Sequence, residues 1–162
     1  DFDLSAHTIG SKVDISYFDE ETKERFVPHV IEPSFGVDRT VLAVLVDAYT
    51  EDEMGGETRS YLKLNKAVAP IKAAVFPLLK NKPELVAKAR EVYLSLKKEI
   101  SQIMWDENGN IGKRYRRQDE IGTPVCITVD FDTLEDDTVT IRNRDTGEQE
   151  RVKIEGLPSL VA

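Results

Sequence analysis

The sequence predicts an α/β (α+β) chain in two parts, residues 1–66 and 67–162. Three observations carry this. VDISYF (13–18) and RFVPHVI (25–31) have the alternation of half-buried strands joined by the polar turn DEETKE. From Thr40 to Tyr49 the apolar residues change to helical spacing, at Val41, Leu42, Val44, Leu45, Ala48 and Tyr49. After about residue 67 the order becomes strand, helix, helix, strand, strand, strand, as in a mixed sheet flanked by helices.

Pro28 marks the second strand as an edge or a bulge, because proline cannot donate to a ladder. EDEMGGETRS, acidic and carrying Gly55-Gly56, reads as a linker or excursion before a short strand SYLKL (60–64). IKAAVFPL (71–78) is a strand ended by Pro77. Pro83 opens a helix to about Ile100 with Leu85, Val86, Ala89, Val92, Tyr93, Leu96 and Ile100 on one face. ENGN (107–110) is a turn, and residues 111–122 form a shorter helix closed by Gly122. VCITVD (125–130), TVTIRNR (138–144) and QERVKIE (149–155) are strands, the last two joined by the turn DTGE.

Composition narrows the function classes. At 40% apolar and 32% charged the 162 residues are globular, and no apolar run is long enough to span a membrane. The start, DFDLSAHTIG, has neither Met nor a signal-peptide pattern, which predicts a piece of a longer protein, and the single cysteine fits a reducing, cytoplasmic setting. Cys126 is the only cysteine and reads as a small buried thiol; His7 and His29 have no ligand-spaced partner, so no metal site is expected. The net charge of −8 argues against a generally basic nucleic-acid binder. The charge is uneven, however: 51–57 and 130–137 are acidic, while KRYRR (113–117) is locally basic.

FVPHVIEPSFGVDR (26–39) carries more chemistry than a connection needs. Pro33 ends strand pairing, and Gly36 permits close backbone approach. Asp38 stands where a carboxylate offsets the positive end of the following helix, and Arg39 in the first turn suits a phosphate oxygen. Glu32 and Ser34 project to one side of an extended segment and would grip a small ammonium group. Asp38 as a plain cap, Arg39 paired to an acid and Glu32 in solvent are the structural alternatives.

VIEPSFGVDR followed by an apolar helix resembles motif 3 of the class II aminoacyl-tRNA synthetases, and Glu-Pro-Ser-x-Gly-x-Asp-Arg is the form seen in glycyl-tRNA synthetases. VDISYFDEET, LNKAVAPIKAAVFPL and GKRYRRQDEIGTPVCITVDFDTLEDDTVTIRNRDTGEQ resemble the same family in the same order, so the resemblance covers nearly the whole chain. It implies a remnant of the antiparallel catalytic sheet with its motif 3 helix, then a mixed-sheet anticodon-binding domain. Glu32, Pro33, Ser34, Phe35 and Gly36 would line the glycine pocket, with Glu32 on the ammonium. Gly36, Val37, Asp38 and Arg39 would form the ATP wall, and Glu32 and Arg39 would be the catalytic pair. The implied partners are glycine, ATP with Mg2+, the tRNA for glycine and a second copy in a homodimer.

The KRYRRQDE run offers Arg114, Arg117 and Gln118 to the anticodon. Its alternative is an exposed helix face whose cations pair with Asp119 and Glu120. The acidic 130–137 stretch is expected to face away from RNA. Motifs 1 and 2 of the class do not occur in these residues, so this piece alone is expected not to activate glycine. The rival reading from another class is a non-catalytic, synthetase-like nucleic-acid-binding accessory protein. The set Glu32, Ser34, Gly36 and Arg39 argues against it.

Overall fold

The computed structural model describes residues 2–161, and the chain divides between Arg39 and Thr40 into two compact units. The first holds helix α1 (Phe2–Ser11) and a two-residue ladder, β1 (Tyr17–Phe18) with β2 (Arg25–Phe26), paired antiparallel. Asp19 closes the turn between these strands by accepting from the amides of Glu21 and Thr22, and Tyr17 meets Phe26 edge to face at 5.8 Å. The strands are shorter than 13–18 and 25–31 because they pair only with each other and stay exposed; an isolated hairpin gains little from that. Helix α1 was not among the expected elements.

Helix α2 (Val37–Ala48) leads into the second unit, with only Ala48 buried. The stretch expected as a linker is instead an antiparallel hairpin, β3 (Tyr49–Met54) with β4 (Glu57–Leu62), turning on Gly55-Gly56. Its acidic residues did not prevent pairing, because alternate positions face solvent and the half-buried Asp52 has a dedicated cation in Arg59.

The body of the second unit is a five-stranded mixed sheet in the order β6-β5-β7-β8-β9. β5 (Ala73–Pro77) is central and wholly buried, parallel to β6 (Ile103–Trp105) and β7 (Val125–Val129). β8 (Thr138–Asn143) and β9 (Gln149–Lys153) continue antiparallel. The edge strand β6 went unread in the sequence: three residues are too few to show a period. α3 (Pro83–Glu99) returns the chain from β5 to β6, and α4 (Ile111–Glu120) from β6 to β7.

The period-two pleat sorts the core into two layers. Ala73, Val75, Ile127, Val129 and Val139 pack against Ala89, Val92 and Leu96 of α3 and Leu157 and Val161 of a short final helix, α5 (Leu157–Val161). On the opposite face Ala74, Phe76 and Cys126 pack against Ile111 and Tyr115 of α4. Cys126 is buried as expected, and burial pushes its thiol well above the usual cysteine range.

Candidate nucleic-acid interface

α4 is defined at both ends by its own residues. Asn110 caps it, its side chain accepting from the Lys113 amide at 2.9 Å. At the other end the Thr123 amide reaches the Gln118 carbonyl and the Gly122 amide the Asp119 carbonyl, the paired bonds of a Schellman stop. Gly122 takes φ +82 there, and a Cβ on it would stand 2.7 Å from Leu64 Cδ1.

The basic run of α4 is divided: Arg114 turns inward, Arg116 and Arg117 are half-buried and Lys113 is exposed. Arg114 is 1% exposed, donating to the carbonyls of Pro77, Glu107 and Gly109. Burial lowers its pKa below the ordinary arginine value, and its Nε has no partner among the described residues. Arg117 stands half exposed, with Nη2 2.6 Å from Asp106 Oδ2 and 2.6 Å from the Asn108 carbonyl. Gln118 is buried, accepting from Thr123 Oγ1 at 2.8 Å and reaching Met104 Sδ. Thus Arg114 and Gln118, expected at the anticodon, lie beneath the surface. Three backbone carbonyls converge where Arg114 enters, and a fork of donors satisfies them better there than in water.

A second cluster ties the β3–β4 hairpin to the other side of α4. Asp119, buried, accepts from Arg59 Nη1 at 2.9 Å and from both terminal nitrogens of Arg142 at 2.8 and 3.0 Å. Arg59 also grips Asp52 at 2.6 and 2.8 Å and the Arg144 carbonyl at 2.8 Å. The Asp52 hydrogen bonds, with Asp119 behind them, raise the Arg59 pKa despite burial, and they lower that of Asp52. None of these pairs was legible: Arg59 and Asp119 are sixty positions apart, and the sequence had matched Asp119 only to the cations of its own helix.

With its cations so engaged, α4 fixes two loops at the carboxyl ends of the parallel strands. The chain leaves β5 for α3 on one face and reaches β7 through α4 on the other, so a crevice opens outside the carboxyl ends, where ligands of open α/β sheets bind. A cavity of about 360 Å³ lies there, lined by Leu78, Leu79, Lys80 and Asn81 after β5 and by Gly109, Asn110, Ile111 and Arg114. Lys80, Lys82, Asn108 and Lys113 are exposed around it. Of the 130–137 acids, Asp130 receives Arg151 of β9 in two bonds of 2.8 and 3.0 Å, while Asp137 receives Lys88 of α3 at 2.6 Å. Burial opposes the charged form of Asp130, but Arg151 and Thr133 outweigh it and lower the pKa.

In the first unit, Glu32, Pro33, Ser34, Phe35 and Gly36 form an exposed segment outside the helices and strands, leading into α2. Val37, Asp38 and Arg39 make the first turn of that helix and are exposed as well.

Residues 72–162 match the family model described as an anticodon binding domain. The whole chain is similar to glycine–tRNA ligases: 54% identical over 99% of its length to that of Clostridium beijerinckii. It is 56% identical over 97% to that of Clostridium acetobutylicum, and 52% over all of its length to that of Thermobifida fusca. It spans about a third of the length of these curated relatives, at 34%, 33% and 36%. With a mixed five-stranded sheet between α3 and α4, and more than half of its residues inside the matched model, the chain belongs to the anticodon-binding domain family.

Proposed function

We propose that the chain is the anticodon-reading part of a class II glycine–tRNA ligase, with residues 1–66 supplying the motif 3 wall of its catalytic site. The observation that carries this is the span of similarity. The match to the Clostridium beijerinckii ligase covers 99% of the chain, so residues 32–39 lie within it along with the anticodon-binding domain.

In this reading the unpaired anticodon bases approach the crevice at the carboxyl ends of β5 and β6, where bases can be splayed and read on their edges. Lys80, Lys82, Asn108, Lys113 and the outer face of Arg117 meet the RNA. Arg114 and Gln118 act from behind, holding the loops that present those groups. The acids beside β9 keep phosphates from docking on that side.

At the other site Glu32 takes the glycine ammonium, and Ser34 with Pro33, Phe35 and Gly36 closes a pocket that leaves no room for a methyl group. Gly36, Val37 and Asp38 border the nucleotide, and Arg39 lies along its phosphates. A glycine carboxylate oxygen attacks the α-phosphorus of ATP and pyrophosphate leaves; a terminal ribose hydroxyl of the tRNA then attacks the carbonyl and AMP leaves. Positioning and charge stabilisation are the protein's contribution. Mg2+ is expected with ATP in the complete protein. A cytoplasmic homodimer belongs to the same reading, and no described helix is long and apolar enough to cross a membrane.

The test compares the complete protein with this chain. The complete protein is expected to catalyse glycine-dependent ATP–pyrophosphate exchange and to lose at least about a thousandfold in kcat/KM on Glu32→Ala, the scale of a lost transition-state contact. The chain alone is expected to bind the glycine tRNA anticodon stem-loop weakly and in a salt-sensitive way, with no exchange activity. A complete protein that binds this tRNA but never activates glycine would favour the accessory-protein reading instead.

A further inference from the structure

A feature of α3 and β6 lies outside the contacts so far assigned. Arg90, Tyr93 and Lys97 recur at helical spacing on one stripe of α3, beside Trp105 at the end of the edge strand β6. The Arg90 guanidinium carbon stands 4.8 Å from the Trp105 ring centroid and 5.4 Å from that of Tyr93. Lys97 Nζ lies 5.6 Å from the Tyr93 centroid and donates to the Ile103 carbonyl at 3.2 Å. The two rings meet edge to face at 5.9 Å.

Both cations are exposed, and neither forms an ion pair among the described residues. Other cations of the unit are engaged by carboxylates, Lys88 by Asp137 at 2.6 Å, Arg117 by Asp106 and Arg151 by Asp130, whereas Arg90 and Lys97 are held against rings. A guanidinium stacked on two rings keeps its fork of donors while losing little further freedom on binding an anion. The two sides of the sheet differ in their cations: beside β6 Arg90 and Lys97 lie against rings, among the exposed Glu91 and Glu99, whereas beside β9 Arg151 is ringed by Asp130, Asp132 and Asp136. Trp105 is followed directly by the 106–110 loop of the crevice.

We propose that the Arg90–Tyr93–Lys97–Trp105 ladder is a second RNA contact, a phosphate rail for the backbone of the same RNA whose unpaired bases meet the β5 and β6 loops. This rests on the anticodon reading and extends its surface from the carboxyl edge onto the α3 flank. Its ligand is the phosphodiester backbone, so it adds affinity and salt dependence without sequence preference.

The experiment uses the complete protein and a glycine tRNA transcript, with binding measured by filter retention between 50 and 200 mM KCl. The double variant Arg90→Gln, Lys97→Gln is expected to bind about tenfold more weakly near 0.1 M salt. Its slope of log affinity on log salt should be shallower by about 1.4, two single-strand phosphate contacts. Arg90→Lys keeps the charge but loses the stacked geometry and is expected to fall between. Lys98→Gln, turned about 100° around the helix, is expected to match the wild type. Saturating kcat should not move in any of them. If the double variant binds within twofold of wild type with the same slope while Lys80→Gln, Lys82→Gln weakens binding, the ladder is a structural stack and the inference is overturned, with the anticodon reading intact. If the wild type does not distinguish this tRNA from one with another anticodon, that reading fails and the rail fails with it.

Discussion

Arg39 and Arg114 stand at nearly the same place in two helices, the third position of α2 and the fourth of α4. Arg39 is exposed; Arg114 is 1% exposed. The difference lies in what precedes each helix. Before α4 the chain brings three carbonyls to one point, from residues 77, 107 and 109, and the guanidinium is drawn in to satisfy them. Before α2 it offers an extended exposed run with proline at residue 33. An arginine near a helix start is therefore not an anion site by residue type alone. Its role is set by the density of acceptors around it: enough of them make it a fastener, few leave it for a ligand.

The contrast is broken most forcefully at Asp119, the one carboxylate shared by the buried Arg59 and Arg142. Asp119→Ala strands two guanidiniums in a low-dielectric site and is expected to cost about 3–5 kcal/mol in urea unfolding of the chain. Asp119→Asn, which keeps some acceptor capacity, should cost less. Equal stability of Asp119→Ala and wild type would mean that water reaches both arginines, and the hairpin would not be clasped to α4.

Arg114→Met comes next. It removes three bonds to backbone carbonyls while preserving much of the volume, for an expected loss of about 2–3 kcal/mol. The same variant should weaken RNA binding through looser 78–82 and 106–110 loops, with the salt slope unchanged because no phosphate contact is lost. A shallower slope would return Arg114 to the RNA surface and erase the distinction from Arg39. Gly122→Ala probes the geometry that aims α4. The residue must keep φ +82 while its Cβ presses on Leu64 Cδ1 and, at 3.0 Å, on the Leu62 carbonyl, so about 2 kcal/mol is expected.

These cases show which parts of the molecule were legible in the sequence. The central strand and α3 were, because AAVFP and the Leu85–Ala89–Val92–Leu96 spacing announce burial by hydropathy alone. The turn at Gly122 was, because a positive φ selects glycine. The β3–β4 hairpin was not: its half-buried set is Thr50, Asp52 and Met54, only one of them apolar, so period two is present in burial but absent from hydropathy. The inward turn of Arg114 was hidden for a related reason. Composition reports charge, whereas the partners that bury it are carbonyls contributed by residues far along the chain. At 32–39 the pattern was legible as chemistry, and the structure leaves those residues exposed.

Asp130 sharpens the contrast through pH. Its folded pKa is lowered, so the stabilisation it shares with Arg151 is present above the ordinary carboxylate range and is lost as pH falls through the folded value. Arg151→Met should remove at most about 1 kcal/mol at neutral pH, because the pair is partly exposed. It should also flatten the decline in stability below about pH 4. An unchanged acid limb would mean that Thr133, not Arg151, holds the charge.

The smallest expected effect belongs to the most chemically loaded residue. Glu32 is exposed on a segment outside the helices and strands, so Glu32→Ala should alter the stability of the chain by less than about 0.5 kcal/mol. Nearly all of its cost is reserved for glycine activation by the complete protein. A group held for packing shows the reverse division, as Asp119 should. Matched urea midpoints for Glu32→Ala and wild type, beside a collapse of pyrophosphate exchange, would place Glu32 with the ligands. A large stability loss would make it a structural residue, and the likeness between residues 32–39 and the second unit's buried charges would be real after all.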